Sequence, residues 1–194
     1  TTNREDLYKK IWSFKDHGKS YDMTLKPSNS NTFRWLHQSF GSNFRLTEIQ
    51  SAIGRIQLNL LDDWHKKRTR NAKILIDYLK DLPNLRVPIP NEKIIHAWYK
   101  FHCYLKKEAL LDDWSRERII NEIKKKGYPA FSGSCSEIYL EKCFNNNSNN
   151  YKRLKNAKLL GESSLMFLVH PTITIKEMES YASTIRNILI KAKR

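Results

Sequence analysis

The helical pattern that begins at Thr47 constrains this chain more than any other feature. Ile49, Ala52, Ile53, Ile56, Leu60 and Trp64 form one apolar stripe, and the pattern runs on through Ala72, Leu75, Ile76 and Leu79. Pro83 ends it. Thr47 and Gln50 have capping-box spacing: the hydroxyl accepts from the third backbone N–H, and the amide reaches back. At 1.5 Å per residue, an unbroken helix here is roughly 50 Å long. Such a helix is expected to span two layers or two domains.

The flanks differ in texture. Asn3 as cap and Asp6 in the first turn predict a helix carrying Leu7, Ile11, Trp12 and Phe14, stopped by Gly18 after His17. Residues 19–45 read mostly as loop, most polar from Lys26 to Asn31. Phe33, Trp35, Phe40 and Phe44 predict that this loop is packed. After Pro83, alternating Leu85, Val87 and Ile89 and the aromatic run His96–Leu105 predict strands. Asp113 and Ser115 precede a helix with Ile119, Ile120 and Ile123, closed by Gly127. The stretch from Tyr128 predicts a strand and a small-residue loop, Asn145–Asn150 a low-complexity loop, and Leu154–Gly161 a helix. Leu165–Val169 predicts a strand, and Thr174 with Glu177 caps a last helix. That order predicts an α/β or α+β sandwich with one small sheet.

Composition limits the function classes. With 194 residues, 40 % hydrophobic and 28 % charged, the chain is ordinary globular material. No run is long enough for a membrane span, and no signal peptide is apparent. Cys103, Cys135 and Cys143 fit neither a metal site nor a disulfide framework, which predicts free thiols in a reducing, cytoplasmic setting. The net charge of +15 suggests nucleic acid, but Lys and Arg are spread along the whole chain. Solvated helix faces explain the runs at Lys66–Arg68 and Lys124–Lys126, so neither a nucleic-acid partner nor a membrane is expected. The excess charge also suits attraction of a phosphorylated small molecule.

The helix entrance Gly41-Ser42-Asn43-Phe44-Arg45 carries the chemistry. Backbone N–H groups at a helix start form an anion site; Asn43 and Arg45 add donors, and Gly41 permits a tight backbone. The alternative is local: Arg45 pairs with a nearby acid and Asn43 satisfies a turn.

Gly41-Ser42-Asn43-Phe44-Arg45, then Thr47-Glu48-Ile49-Gln50-Ser51-Ala52-Ile53-Gly54 and Gln57-Leu58, resembles the G-x-N-x-R…E-x-Q-x-A-x-G…Q-L signature of the DegT/StrS family. These are pyridoxal-phosphate-dependent nucleotide-sugar aminotransferases. Lys15-Asp16-His17-Gly18-Lys19 resembles the family's H-G segment, Arg68-Thr69-Arg70-Asn71-Ala72 its R-x-x-N-A texture, and Leu165–Thr174 its closing strand and capped helix. FRWLHQSFGSNFR, YPAFSGSCSEIYLEKCF and SLMFLVHPT resemble the branch that makes dTDP-4-amino-4,6-dideoxyglucose.

The resemblance implies the C-terminal part of a fold-type I pyridoxal-phosphate enzyme. Residues 1–45 would be the trailing edge of the large domain, 46–82 the long connecting helix, and 83–194 a small domain with a short, mainly antiparallel sheet packed by helices. The family's Schiff-base lysine lies upstream of the H-G segment, so Lys15 and Lys19 are not expected to be catalysts, and this chain alone is expected to be inactive. By resemblance, Asn43 reaches the cofactor phosphate of the neighbouring subunit in a homodimer with shared active sites. Arg45 serves either the nucleotide-sugar diphosphate or the amino donor's carboxylate. His96 and Tyr99 lie where the family often places sugar-nucleotide contacts, although core packing also suits Tyr99. Ser134, Ser136 and Glu137 offer hydroxyls and a carboxylate to a sugar, although here many relatives have a histidine- and proline-rich segment. His17 as a helix-end cap, Cys135 as a small packed residue and His170 are read as structural. The implied reaction moves an amino group from glutamate to a 4-keto-6-deoxy nucleotide sugar, for cell-surface polysaccharide. The alternatives are a sugar dehydratase or silent relative of the same fold, and a non-enzymatic basic binding or dimerisation module. No metal ligand set is expected.

Overall fold

A computed structural model describes residues 1–27, 34–133, 135–144 and 152–194. The chain forms two compact units, Thr1–Asn59 and Leu60–Arg194. Ser28–Phe33, Ser134 and Asn145–Tyr151, including Phe33 and the asparagine-rich loop, lie outside the described residues.

In the first unit, helix α1 spans Glu5–Lys15. Its cap position is Arg4, not Asn3, and no side chain caps it; Glu5 and Asp6 instead place negative charge in the first turn. A short helix α2, Tyr21–Leu25, interrupts the expected loop, with Ser20 accepting from the Met23 amide. Tyr21 packs edge-on against Tyr8 and Trp12, at 5.3 and 5.2 Å between ring centroids. Among the described residues the expectation of a packed aromatic loop is met only in part: the Phe44 ring lies 5.9 Å from that of Phe14 between centroids, but much of the loop's aromatic surface is open. Trp35 is 88 % exposed, Phe40 fully exposed, and Phe44 exposed.

Helix α3, Glu48–Leu79, starts as expected. The Gln50 amide donates to Thr47 Oγ1 at 3.3 Å, and Gln50 Oε1 accepts from the Thr47 amide at 3.1 Å. Its apolar stripe divides. Ile49, Ile53, Ile56 and Leu60 are exposed, whereas Asn71, Ala72, Leu75 and Leu79 are buried in the second unit.

The second unit is built on a three-stranded antiparallel sheet of order β1-β2-β3: Leu85–Arg86, Phe101–Leu105 and Ser164–Phe167. Leu85 pairs with Leu105, and Phe101 with Phe167. Phe101, Cys103 and Leu105 alternate inward, as a one-sided strand requires. Helix α4, Arg116–Lys125, is capped by Ser115 and buries Ile119, Ile120 and Ile123. Gly127 follows it at φ +84°, a left-handed helix stop with open space around it. Helix α5 covers Lys155–Ser163, and α6, Ile175–Lys191, begins with the expected Thr174–Glu177 capping box. Each large apolar side chain in this core contributes roughly 1.5–3 kcal/mol. Cys103 is fully buried, and burial pushes its thiol pKa well up, so it behaves as a packing group. All three cysteines are free.

The strand expectations hold in part. β1 stops at Arg86 and β2 begins only at Phe101. The Tyr128 stretch contributes one bridge, Phe131 to Met166. The R-x-x-N-A residues tie distant backbone to α3. Asn71 Nδ2 donates to the His170 carbonyl and Arg70 Nη2 to the Ile173 carbonyl, both at 2.9 Å. His170 Nδ1 contacts Thr172 Oγ1 at 2.8 Å, in keeping with a structural turn.

Candidate functional site

The helix entrance is built by two segments, 14–20 and 36–44, lying side by side. The Ser42 amide donates to the Phe14 carbonyl at 2.8 Å, Phe44 to Lys15 at 3.0 Å, and Gln38 to Gly18 at 2.9 Å. Single bridges join Asp16 to Asn43 and Lys19 to His37. Two glycines permit the approach. A Cβ at Gly18 would lie 1.7 Å from the Ser39 carbonyl oxygen, and one at Gly41 would lie 2.4 Å from the Gly18 nitrogen. His17 and Gly18 both have positive φ, +58° and +79°, so His17 sits in the turn beyond the end of α1.

That backbone places Asn43 and Arg45 beside Asp16. Arg45 Nη1 pairs with Asp16 Oδ1, and Lys19 Nζ lies 3.5 Å from the same oxygen. Burial works to raise the Asp16 carboxyl pKa, but Arg45, Lys19 and Lys15 together carry it below the ordinary value. Asn43 Oδ1 accepts from the Arg45 amide at 3.4 Å. The local pairing weighed from the sequence is therefore present. It leaves Asn43 Nδ2 without a partner among the described residues, on an exposed side chain. Asp16, 29 positions before Arg45, is the residue that sequence reasoning missed; its adjacency to the H-G pair was the available signal.

In the second unit, the run His96–Lys100 turns instead of extending. Trp98 adopts φ +47°, and its amide donates to His96 Nδ1 at 3.0 Å. His65 Nε2 bonds the His96 carbonyl at 2.9 Å, and Arg68 Nη1 donates to the Tyr99 carbonyl at 3.1 Å. Tyr99 is therefore not a core strand residue: it is 73 % exposed, with Lys100 Nζ 5.2 Å from its ring centroid.

In the 132–137 loop, Ser134 lies outside the described residues. Cys135 is exposed, not packed, with Sγ 3.6 Å from Glu141 Oε1. Ser136 lies against α5: a Cβ on Gly161 would meet its Oγ at 1.9 Å. Glu137 is gripped by Arg153, with Nε donating at 3.0 Å, and accepts from the Tyr139 hydroxyl at 2.7 Å. Arg153 foremost, then Tyr139, lowers its carboxyl pKa to about 2 from 4.5. A depressed carboxylate stabilises the fold fully above its unfolded pKa, and this contribution disappears as pH falls through the folded pKa. Glu137→Gln is therefore expected to lower the melting temperature at neutral pH. Its difference from wild type should shrink between about 4.5 and about 2, the interval set by the Glu137 shift. A pH-independent difference in melting temperature across that window would reject the Arg153 clamp as its source.

Residues 1–186 match the DegT/DnrJ/EryC1/StrS aminotransferase family. The chain belongs to that family. Among solved structures similar to this member, an aminotransferase from Psychrobacter cryohalolentis is 45 % identical and superposes with a TM-score of 0.87, over 99 % of this chain and 51 % of the other. Helicobacter pylori PseC, an aminotransferase involved in the biosynthesis of pseudoaminic acid, shares the fold: TM-score 0.81, 23 % identity, 98 % of this chain and 48 % of the other. The dTDP-4-amino-4,6-dideoxy-D-glucose transaminase of Shigella dysenteriae is 23 % identical over 180 residues, 87 % of this chain and 46 % of that protein. The chain thus spans about half the length of the relatives it matches. No helix among the described residues is long and apolar enough to cross a membrane.

Proposed function

We propose that this chain is the C-terminal part of a pyridoxal-phosphate-dependent aminotransferase acting on a 4-keto-6-deoxy nucleotide sugar, with glutamate as amino donor. The observation that carries the reading is the family match over residues 1–186, on a chain whose helix entrance presents an uncommitted amide donor. The wider role would be cell-surface polysaccharide synthesis in the cytoplasm. Residues 1–45 would complete the large domain, 46–82 connect, and 83–194 form the small domain.

The donor set fits one edge of a phosphate. Asn43 Nδ2 is exposed and has no partner among the described residues, and amide N–H groups are good phosphate donors. Pyridoxal phosphate, when bound, supplies the electron sink for amino transfer. Asn43 would hold the phosphate of the cofactor in the partner subunit of a homodimer. Arg45, anchored by Asp16, retains further guanidinium donors for a substrate diphosphate or carboxylate. His96, Tyr99, Ser134, Ser136 and Glu137 would contact the nucleotide sugar; the Arg153 grip on Glu137 would orient that loop. Lys15 and Lys19 would not act as catalysts. Lys15 Nζ lies 5.2 Å from the Trp12 ring centroid and Lys19 is drawn to Asp16, which supports that reading. The exposed Trp35, Phe40, Ile49 and Ile53 support burial of this face in the dimer.

The test is amino transfer from isotopically labelled glutamate to dTDP-4-keto-6-deoxyglucose. The full-length enzyme should label the sugar, and this chain alone, given pyridoxal phosphate, should not. Loss of the sugar hydroxyl without nitrogen incorporation would instead identify a dehydratase of the same fold.

A further inference from the structure

A cavity of about 680 Å³ runs along α4 in the second unit. Helical period places it there. α4 turns Ile119 and Ile123 fully inward, so Arg116, Ile120 and Lys124, spaced by four, form the row beside the buried face. All three line the cavity, and Ile120 joins Met166 and Leu168 as its apolar floor. Phe131 adds a wall from the edge of the sheet, where two backbone hydrogen bonds of 3.1 and 2.8 Å fasten it to Met166. Phe131 is nevertheless 40 % exposed, and an aromatic surface left open beside an apolar floor favours an apolar occupant.

The charge around this floor is one-sided. Glu117 is the one acid among the described residues that line the cavity, and Arg116 pairs with it at 2.8 Å. Lys100 and Lys124 line it too, and neither forms an ion pair with a carboxylate among the described residues. Their ammonium groups lie near rings instead, Lys100 5.2 Å from the Tyr99 centroid and Lys124 5.7 Å from that of Phe131. Lys125, one position on, has an acid in reach and takes it, pairing with Glu122 at 2.7 Å. Two cations without a counter-charge, beside an apolar floor, attract an anion and repel a cation. An enclosed apolar surface with a few placed polar groups is the usual make-up of a small-molecule site. His96, Tyr99, Ser136 and Glu137, proposed above to meet the nucleotide sugar, are not among its lining residues.

We infer that this cavity binds an amphipathic anion: an acidic head group at Lys100 and Lys124, on an aliphatic body lying along Ile120, Met166 and Phe131. The inference stands apart from the aminotransferase reading, because it uses only side chains of the second unit. A carboxylate and a phosphate monoester offer the same head-group chemistry to a lysine.

The experiment titrates the full-length enzyme with octanoate, with octyl phosphate and with uncharged octanamide, following methyl nuclear magnetic resonance signals of Ile120 and Met166. Both anions should bind saturably and move those signals. The tighter one identifies the head group, and equal binding assigns the site to acidic amphiphiles of either kind. Octanamide should bind about tenfold or more weakly, because it lacks the charge that the lysines meet. Lys100→Gln combined with Lys124→Gln should cost octanoate about the same factor. Lys125→Gln removes a lysine that does not line the cavity and should leave binding unchanged. Asn121→Trp, at an exposed α4 position that does line it, should obstruct binding. Thymidine diphosphate should not displace octanoate. No saturable shift with either anion up to about 10 mM would overturn the inference. So would octanamide binding as tightly as octanoate, displacement by thymidine diphosphate, or wild-type affinity in the folded double variant. No turnover is read, so failure here is separable from failure of the aminotransferase reading.

Discussion

Gly18→Val is expected to separate the 14–20 and 36–44 segments, whereas Gly54→Ala is expected to raise stability slightly. Gly18 combines two requirements at one position. Its φ of +79° costs an L-residue about 1–2 kcal/mol, and a β-branched side chain is the worst fit there. Any Cβ would also overlap the Ser39 carbonyl, a backbone atom that cannot step aside as a flexible side chain can. Together these place the cost at about 4 kcal/mol or more. The Gln38 amide bonds Gly18 and the Ser42 amide bonds Phe14, so hydrogen exchange at these two amides reports the pairing directly. Both should lose protection in Gly18→Val. Gly54 is the control: it lies inside α3 with nothing within 4 Å of its Cβ position, so alanine gains about 1 kcal/mol of helix propensity. Retained protection of Gln38 and Ser42 in Gly18→Val would mean that the glycine pair does not hold the helix entrance.

What the sequence made legible was local. Thr47 with Gln50, Ser115, Gly127 and Thr174 with Glu177 act through atoms within a few residues, and each occurs where its spacing predicts. The apolar face of α4 was legible for the same reason, because a 3.6-residue period needs no knowledge of the partner. The ends of β2 were not. His96–Lys100 has strand composition, but His65 and Arg68 claim its carbonyls from about 30 positions away and Trp98 turns the backbone. The site showed the same division. Gly41, Asn43 and Arg45 marked the helix entrance as a candidate site, whereas the pairing of Arg45 with Asp16 and of Arg153 with Glu137 shows only in the fold. Aromatic content predicted burial for Trp35 and Phe40, yet both are exposed, because composition does not say which surface covers them.

The central claim is that Asn43 supplies a phosphate donor to the cofactor of a partner subunit. Its most direct measurement is the affinity of full-length dimer for pyridoxal phosphate, by absorbance titration, in Asn43→Ala and Asn43→Asp. Alanine removes one hydrogen bond to a charged group, worth about 1.5–3 kcal/mol, or roughly ten- to a hundredfold in affinity. Aspartate keeps the side-chain shape and an oxygen for the Arg45 amide but sets a negative charge against the phosphate, so its loss should exceed that of alanine. A graded loss, aspartate beyond alanine, in dimers that remain folded is the predicted result. Wild-type affinity in both variants would contradict the account, and would leave Asn43 as a turn residue beside the Arg45–Asp16 pair.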